Sequence, residues 1–284
     1  LERQRFAVHA DGEDRVALVL QDAERGDLGV VTVNPASKIV ARMLDADAGA
    51  RIDRDWLASR LRRALALRER LFDGPFYRLV HAEADGLPGV IIDRFGDAAV
   101  IQPNAAWADR LLPELAAALT EVTGVTRIVM NGSGRARGLE GLDERTEVIA
   151  GEIAAPIEVP MNGATYLADL TGGQKTGLFY DQRPNHAFAA GLAGQGRVLD
   201  VFSHVGGFGL AALAAGATES QGLNAAGAAA GTGVLADAQL AAGATVAGAH
   251  SSLCWVSTVR SSTTPGVRRW EERGALMRSW TTSV

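Results

Sequence analysis

The sequence has 284 residues and a mass of 29.7 kDa, room for one large domain or two to three small ones with a buried core. Hydrophobic residues at 47% and charged residues at 21% are ordinary globular values, and no stretch reaches the ~20 apolar residues of a membrane span, which excludes integral-membrane and wholly disordered readings. The net charge of −5 conceals −7 over residues 1–219 and +2 over 220–284, so neither part is a polycation that would mark the chain as a nucleic-acid binder by charge alone.

Taken in chain order, residues 15–20, 29–33 and 38–44 read as short strands separated by turn residues, which predicts a small β-rich module over residues 1–45. From Asp53 to about Phe72 the pattern turns helical: Asp53 suits an N-cap, and Leu57, Leu61, Ala64, Leu65 and Leu71 recur at three- and four-residue spacing. The opposite face carries Arg60, Arg62, Arg63, Arg68 and Arg70, either a phosphate-binding surface or a solvated face balanced by Asp53, Asp55 and Glu69. Residues 46–75 thus form a linker helix. Residues 76–158 read as an α+β domain with strands at 77–80, 90–93, 98–102, 127–130 and 147–149 and one helix from about Ala106 to Val122, a unit with one face of its sheet covered. The run Gly132-Ser-Gly-Arg-Ala-Arg-Gly138 is Gly-rich and basic, but no helix N-terminus clearly follows it, and it reads as a mobile loop rather than a phosphate loop.

The chemistry concentrates in residues 159–219. A short apolar strand, Arg197-Val-Leu-Asp-Val-Phe202, leads into the turn Ser203-His-Val-Gly-Gly-Phe-Gly209 and a small-residue helix to Ala215, the opening of a doubly wound nucleotide-binding fold. A dinucleotide site would place Gly-x-Gly-x-x-Gly to catch a pyrophosphate. Here Asp200 holds the strand end and the paired glycines come six and seven residues later, which favours a neutral or cationic ligand such as S-adenosylmethionine over a dinucleotide. A dinucleotide-dependent oxidoreductase stays open on these residues alone. His204, within the turn, reads as a loop residue. The dense polar run Thr171-Gly-Gly-Gln-Lys-Thr-Gly-Leu-Phe-Tyr-Asp-Gln-Arg183 is hard to explain as a plain surface loop.

Residues 162–169, 173–183 and 198–208 closely resemble the bacterial class I S-adenosylmethionine-dependent large-subunit ribosomal RNA methyltransferases of the 5-methylcytosine type. Upstream, Asn34-Pro-Ala-Ser-Lys-Ile-Val-Ala-Arg42 resembles the end of that family's PUA domain, 61–71 its arginine-rich linker helix, and 83–93 the opening of its central domain. The resemblance implies an α/β fold in three parts: a PUA-like RNA-binding module, a central α+β domain, and the start of a Rossmann-like class I methyltransferase domain. It implies ribosomal RNA as partner and S-adenosylmethionine as cofactor. Asp200, Phe202, Gly206, Gly207 and Phe208 would line the donor pocket, with Lys175, Asp181, Gln182 and Arg183 closing it. Phe202 and Phe208 could equally be core aromatics.

Beyond residue 219 the expectation changes. A second strand ending in an acid is due about 20 residues after Asp200, yet Glu219 stands where that strand should begin, and residues 220–224 show neither a strand run nor an acid. Residues 225–249 are nearly all Ala and Gly, and residues 251–284, rich in Ser, Thr, Arg and Trp, lack periodicity. The likeness is therefore expected to stop near residue 219, with residues 220–284 an unmatched tail read out of frame, and the start at Leu1 suggests an incomplete amino end. The family's Asp-Pro-Pro motif is absent. Cytosine C5 chemistry needs a Cys nucleophile; Cys254 is the only cysteine, and its surroundings offer no base or activating cation. No catalytic or metal-binding residue is assigned. The lone cysteine and the lack of a signal peptide point to the cytoplasm. The remaining alternative is a non-catalytic RNA-binding fragment.

Overall fold

A computed structural model describes residues 7–9, 17–24, 26–154, 156–172, 176–203, 205–223, 229–233 and 245–246. Strands β1 (Ala7–His9), β2 (Leu18–Gln21), β3 (Asp27–Val33) and β4 (Ala41–Asp45) form an antiparallel meander in chain order. The third predicted strand begins later than expected, at Ala41. Asn34 closes a loop in which its side chain accepts from Ala36 N–H and its own N–H bonds to Val40 C=O, so residues 38–40 stay in the connection.

Helix α1 (Arg54–Glu69) starts where the sequence places it, with Asp53 accepting from Trp56 N–H. Leu57, Leu61 and Ala64 are buried as expected, whereas the helix closes before Leu71, which is exposed. The cationic face is largely neutralised, though not by the acids nearest in sequence. Arg60 pairs with Asp45, Arg68 with Asp85, and Arg54 and Arg62 share Glu121.

The central sheet comprises β5 (Phe76–His81), β6 (Val90–Phe95), β7 (Ala98–Pro103), β8 (Arg127–Asn131) and β9 (Thr146–Ala150), paired in chain order. Only β7 and β8 run parallel, because helices α2 (Ala106–Arg110) and α3 (Leu112–Thr123) carry the chain across between them. The single helix predicted here breaks at Leu111: Pro113 has no N–H to continue the ladder and starts a new helix instead. A further difference concerns Gly132–Gly138. This stretch holds a short helix, α4 (Arg135–Leu139), and Arg137 is 1% exposed, donating to the carbonyls of Pro103 and Asp143 and to Asp109. The basic residue that suggested a phosphate loop is a structural knot, and its burial also contradicts a mobile loop.

Both faces of the central sheet are covered, not one. Alternate residues of β7 divide between two cores: Ala99 and Ile101 join Leu57, Leu61, Leu115 and Leu119 beneath α1 and α3, while Ala98 and Val100 join Val159, Tyr166, Leu178, Tyr180 and Leu210 on the other side. The unbroken apolar run Ala98-Ala-Val-Ile101 carries that message, since a one-sided strand alternates with polar residues.

The second face is covered by the hairpin β10 (Ile157–Met161) and β11 (Ala164–Ala168), by Leu170, Leu178 and Tyr180 after it, and by Leu210 of α6 (Gly207–Ala214); α5 (Arg183–Ala193), β12 (Arg197–Val201) and β13 (Glu219–Leu223) complete this part of the chain. The expectation that no strand follows Thr218 is corrected: β13 pairs parallel with β12 from Arg197↔Glu219 to Val201↔Leu223. Its sequence, Glu-Ser-Gln-Gly-Leu, has little strand propensity; the buried Ser220 is small enough to lie under α6, and packing overrides propensity. Beyond it, β14 (Ala229–Gly233) pairs antiparallel with β13, and β15 (Thr245–Val246) lies parallel to β11. No helix among the described residues is long and apolar enough to cross a membrane.

Candidate functional site

The site is built where β12 ends. Strand alternation turns Asp200 toward α6, and its side chain, 5% exposed, accepts a hydrogen bond from Gly209 N–H at 3.1 Å. Burial pushes the Asp200 carboxyl above the usual carboxylate range, opposed in part by the N–H groups of Gly209 and Phe208. Gly206, at φ +77°, lets the chain reverse into α6, whose first-turn N–H groups at Phe208 and Gly209 point at the Asp200 carboxyl. Two further glycines permit close approach. A Cβ at Gly207 would lie 2.3 Å from the His186 ring, and one at Gly209 2.3 Å from Ser220 Oγ.

Helix α5 forms the facing wall, packed along α6. Arg183 opens it, its guanidinium 5.1 Å from the Phe72 ring centre and 5.7 Å from that of Tyr180. Burial lowers its pKa, with Tyr180 and Tyr166 acting the other way. One turn later His186 is buried edge-on against Phe208, with ring centres 4.5 Å apart, and burial lowers its pKa against the opposing charge of Asp181. Tyr166 donates to Gly207 C=O at 3.2 Å. Burial raises its pKa, the charge of Arg183 opposing the shift and that of Asp200 adding to it. Four buried side-chain polar atoms among the described residues lack a partner, and three belong here: Arg183 Nε, His186 Nδ1 and Ser203 Oγ. Orphaned buried polar atoms are rare in folded proteins; Ser203 lies in the glycine turn and His186 packs against Gly207 and Phe208, with Arg183 one turn earlier on α5, and a wall of this kind fits a polar ligand.

The structure thus brings Asp200, Gly206, Gly207 and Phe208 together, while Arg183 opens the facing helix with its guanidinium over Phe72 and Tyr180. Phe202 stands apart from the packed residues, 70% exposed at φ +63°, and is no core aromatic; it lies at the rim. Asp181 is exposed, and Gln182 donates to it at 3.4 Å while accepting from Asn185. Lys175 and His204 lie outside the described residues.

Part of the 171–183 run has a different task. Thr176 Oγ1 donates to Asp93 at 2.7 Å, the fully buried Asp93 takes two bonds from Arg78, and the Tyr180 hydroxyl donates to Arg94 C=O. These bonds fasten the segment to the central sheet. Sequence reasoning missed Tyr166, His186, Ser203, Ser220 and Asp93 as site or support residues. Asp93 carried a signal, a carboxylate closing the apolar run Val90-Ile-Ile. Glu219 stands where the sequence puts it, at the start of the second strand. It pairs with Arg197 at the start of both strands, three residues or about 10 Å from the level of Asp200, so it cannot reach a ligand at the turn.

Residues 100–242, half of the chain, match the family model described as S-adenosylmethionine-dependent methyltransferase. The chain belongs to that methyltransferase family. The match passes residue 219, which corrects the expectation that likeness ends there and agrees with the in-register pairing of β13. The family depends on S-adenosylmethionine, which sets aside the dinucleotide alternative.

Among curated relatives, the ribosomal RNA large subunit methyltransferase I of Alteromonas mediterranea is 36% identical over 198 residues, 68% of this chain and 50% of the relative. The protein of the same name from Tolumonas auensis is 40% identical over 192 residues, 66% of this chain and 48% of the relative. The chain spans about half the length of these relatives. Among solved structures, a SAM-dependent methyltransferase from Streptococcus mutans shares the fold with a TM-score of 0.60 at 21% identity, covering 71% of this chain and 53% of its own. A methyltransferase solved in complex with SAH gives 0.61 at 20% identity, over 71% of this chain and 52% of its own.

Proposed function

We propose that this chain is a ribosomal RNA methyltransferase that uses S-adenosylmethionine and acts on large-subunit RNA, with C5 of a cytosine as the accepting atom. The observation that carries the reading is the buried Asp200 bonded to the glycine turn after β12, with unpartnered buried polar atoms at Ser203 in that turn and at His186 packed against Gly207. When bound, the donor supplies an activated methyl group. Asp200, Gly206, Gly207 and Phe208 would hold it, Arg183 and His186 would wall it from α5, and Lys175, Asp181 and Gln182 would close the entrance, with Phe202 at the rim. The bond from the Tyr166 hydroxyl to Gly207 C=O would hold the turn in place. The meander β1–β4 would be the PUA-like RNA-binding module, and the compartment the cytoplasm.

A second reading has support of its own. Methylation at C5 requires a thiolate to add to C6 first, and Cys254, the only cysteine in the sequence, lies outside the described residues. The positions of β13 level with Asp200 and Val201 are Gly222 and Leu223, so no acid stands there for the ribose hydroxyls. On that reading the chain is a non-catalytic RNA-binding fragment. Incubation with tritium-labelled S-adenosylmethionine and deproteinised large-subunit RNA decides between them. Label in a cytosine, lost in Cys254→Ala, supports the first reading; RNA bound with neither donor binding nor transfer supports the second.

A further inference from the structure

Helix α1 and its C-cap residue Arg70 carry six arginines between them, and the structure divides them by what they touch. Arg60 and Arg68 are half-buried and bonded to Asp45 and Asp85 at 2.6 Å, and Arg54 and Arg62 converge on Glu121 of α3. Arg63 and Arg70 are exposed and have no ion pair among the described residues. At 100° per residue Arg63, Leu67 and Arg70 fall within an arc of roughly 60° on the side away from the core, and the rise of 1.5 Å per residue sets the two arginines about 10 Å apart. Between and beyond them Leu67 is 46% and Leu71 64% exposed. The strip is therefore cationic and apolar together. It ends next to Phe72, whose ring lies 5.1 Å from the Arg183 guanidinium at the candidate donor site.

We propose that Arg63, Leu67, Arg70 and Leu71 form a docking strip for a single RNA strand, leading it along α1 toward Arg183; this rests on the methyltransferase reading above. The charge complementarity is specific. The remaining arginines of the helix already face carboxylates, so a phosphate gains most from the two that do not, while sugar and base faces cover the leucines. A protein partner would use the same leucines but would not need paired free cations beside them.

Filter binding of the full chain to deproteinised large-subunit RNA, titrated with salt, tests the strip. Two phosphate contacts on a single strand contribute about 1.4 to the slope of log K against log salt and on the order of tenfold in affinity near 0.15 M. Arg63→Ala/Arg70→Ala should lose about that slope and that affinity. Leu67→Ser/Leu71→Ser should weaken binding with the slope unchanged, and Arg54→Ala/Arg62→Ala, on the side facing Glu121, should change the slope by less than half as much. An unchanged slope in Arg63→Ala/Arg70→Ala, or an equal loss in the Arg54 and Arg62 variant, overturns the proposal. So does a wild-type chain that ignores naked RNA yet binds whole large subunits through the same strip, which would assign it to a protein partner. Donor affinity measured on the same variants separates this failure from that of the methyltransferase reading, since none of the six residues touches the glycine turn.

Discussion

Gly209→Ala reads out, by its sign, whether β13 lies beneath α6. In an isolated helix the change removes backbone freedom from the unfolded chain and stabilises by about 0.5–1 kcal/mol. Gly209 has no left-handed φ, so nothing in its own backbone forbids alanine. Its neighbour does: the new Cβ would stand 2.3 Å from Ser220 Oγ and 3.3 Å from Ser220 Cβ. Overpacking of this kind costs about 1–3 kcal/mol, outweighing the helix gain and leaving a net loss of up to about 2 kcal/mol. Ser220→Ala alone should shift stability by about 1 kcal/mol or less. In the double variant the hydroxyl is gone and the 3.3 Å contact can relax by a few tenths of an ångström, so most of the loss returns. A coupling energy of about 1–2 kcal/mol is expected from the cycle. Differential scanning calorimetry of all four proteins provides the assay. Stabilisation by Gly209→Ala, or strictly additive effects, would refute the placement of residue 220 against α6 and with it the second strand of the donor fold.

Three other outcomes are expected. Glu140→Gln should loosen the β1–β4 meander from the central domain, because the Glu140 carboxylate accepts from Ser37 at 2.6 Å, Arg42 at 2.9 Å and Asn34 at 3.0 Å; protease nicking within residues 1–45 should rise while the central core stays intact. Asp200→Asn should raise the melting temperature of the ligand-free protein at pH 7, since burial holds the Asp200 carboxyl above its unfolded pKa and stability is lost as pH rises through it; a fall in melting temperature would contradict that sign. His186 is the reverse case: burial depresses its folded pKa, so the stability it allows is present above the unfolded value near 6.5 and lost as pH falls below it. The wild-type melting temperature should therefore drop more between pH 7 and 5 than that of His186→Phe.

What could be read from the sequence had strong local causes. Asp53 announced α1, the leucine spacing announced its buried face, and the glycine turn after Asp200 announced the strand–turn–helix unit. What escaped was decided by tertiary contact. β13 has the composition of a loop and is a strand only because β12 and α6 accept it there. Arg137 sat in a stretch that read as a mobile loop because its carbonyl partners, Pro103 and Asp143, cannot be guessed from spacing. Thr176 and Tyr180 sat in a run that suggested ligand binding, yet they reach back about 80 residues to Asp93 and Arg94. His186 carried no motif and Tyr166, within the run 162–169, was given no role; their approach to Gly207 is what marks them.

The most direct measurement is isothermal titration of S-adenosylmethionine into the full chain and into Asp200→Ala. One donor bound per chain, with binding lost in a variant that remains folded by circular dichroism, is the result predicted. Absence of binding by the folded wild-type chain, or undiminished binding by Asp200→Ala, would contradict the assignment of the glycine turn as the donor site.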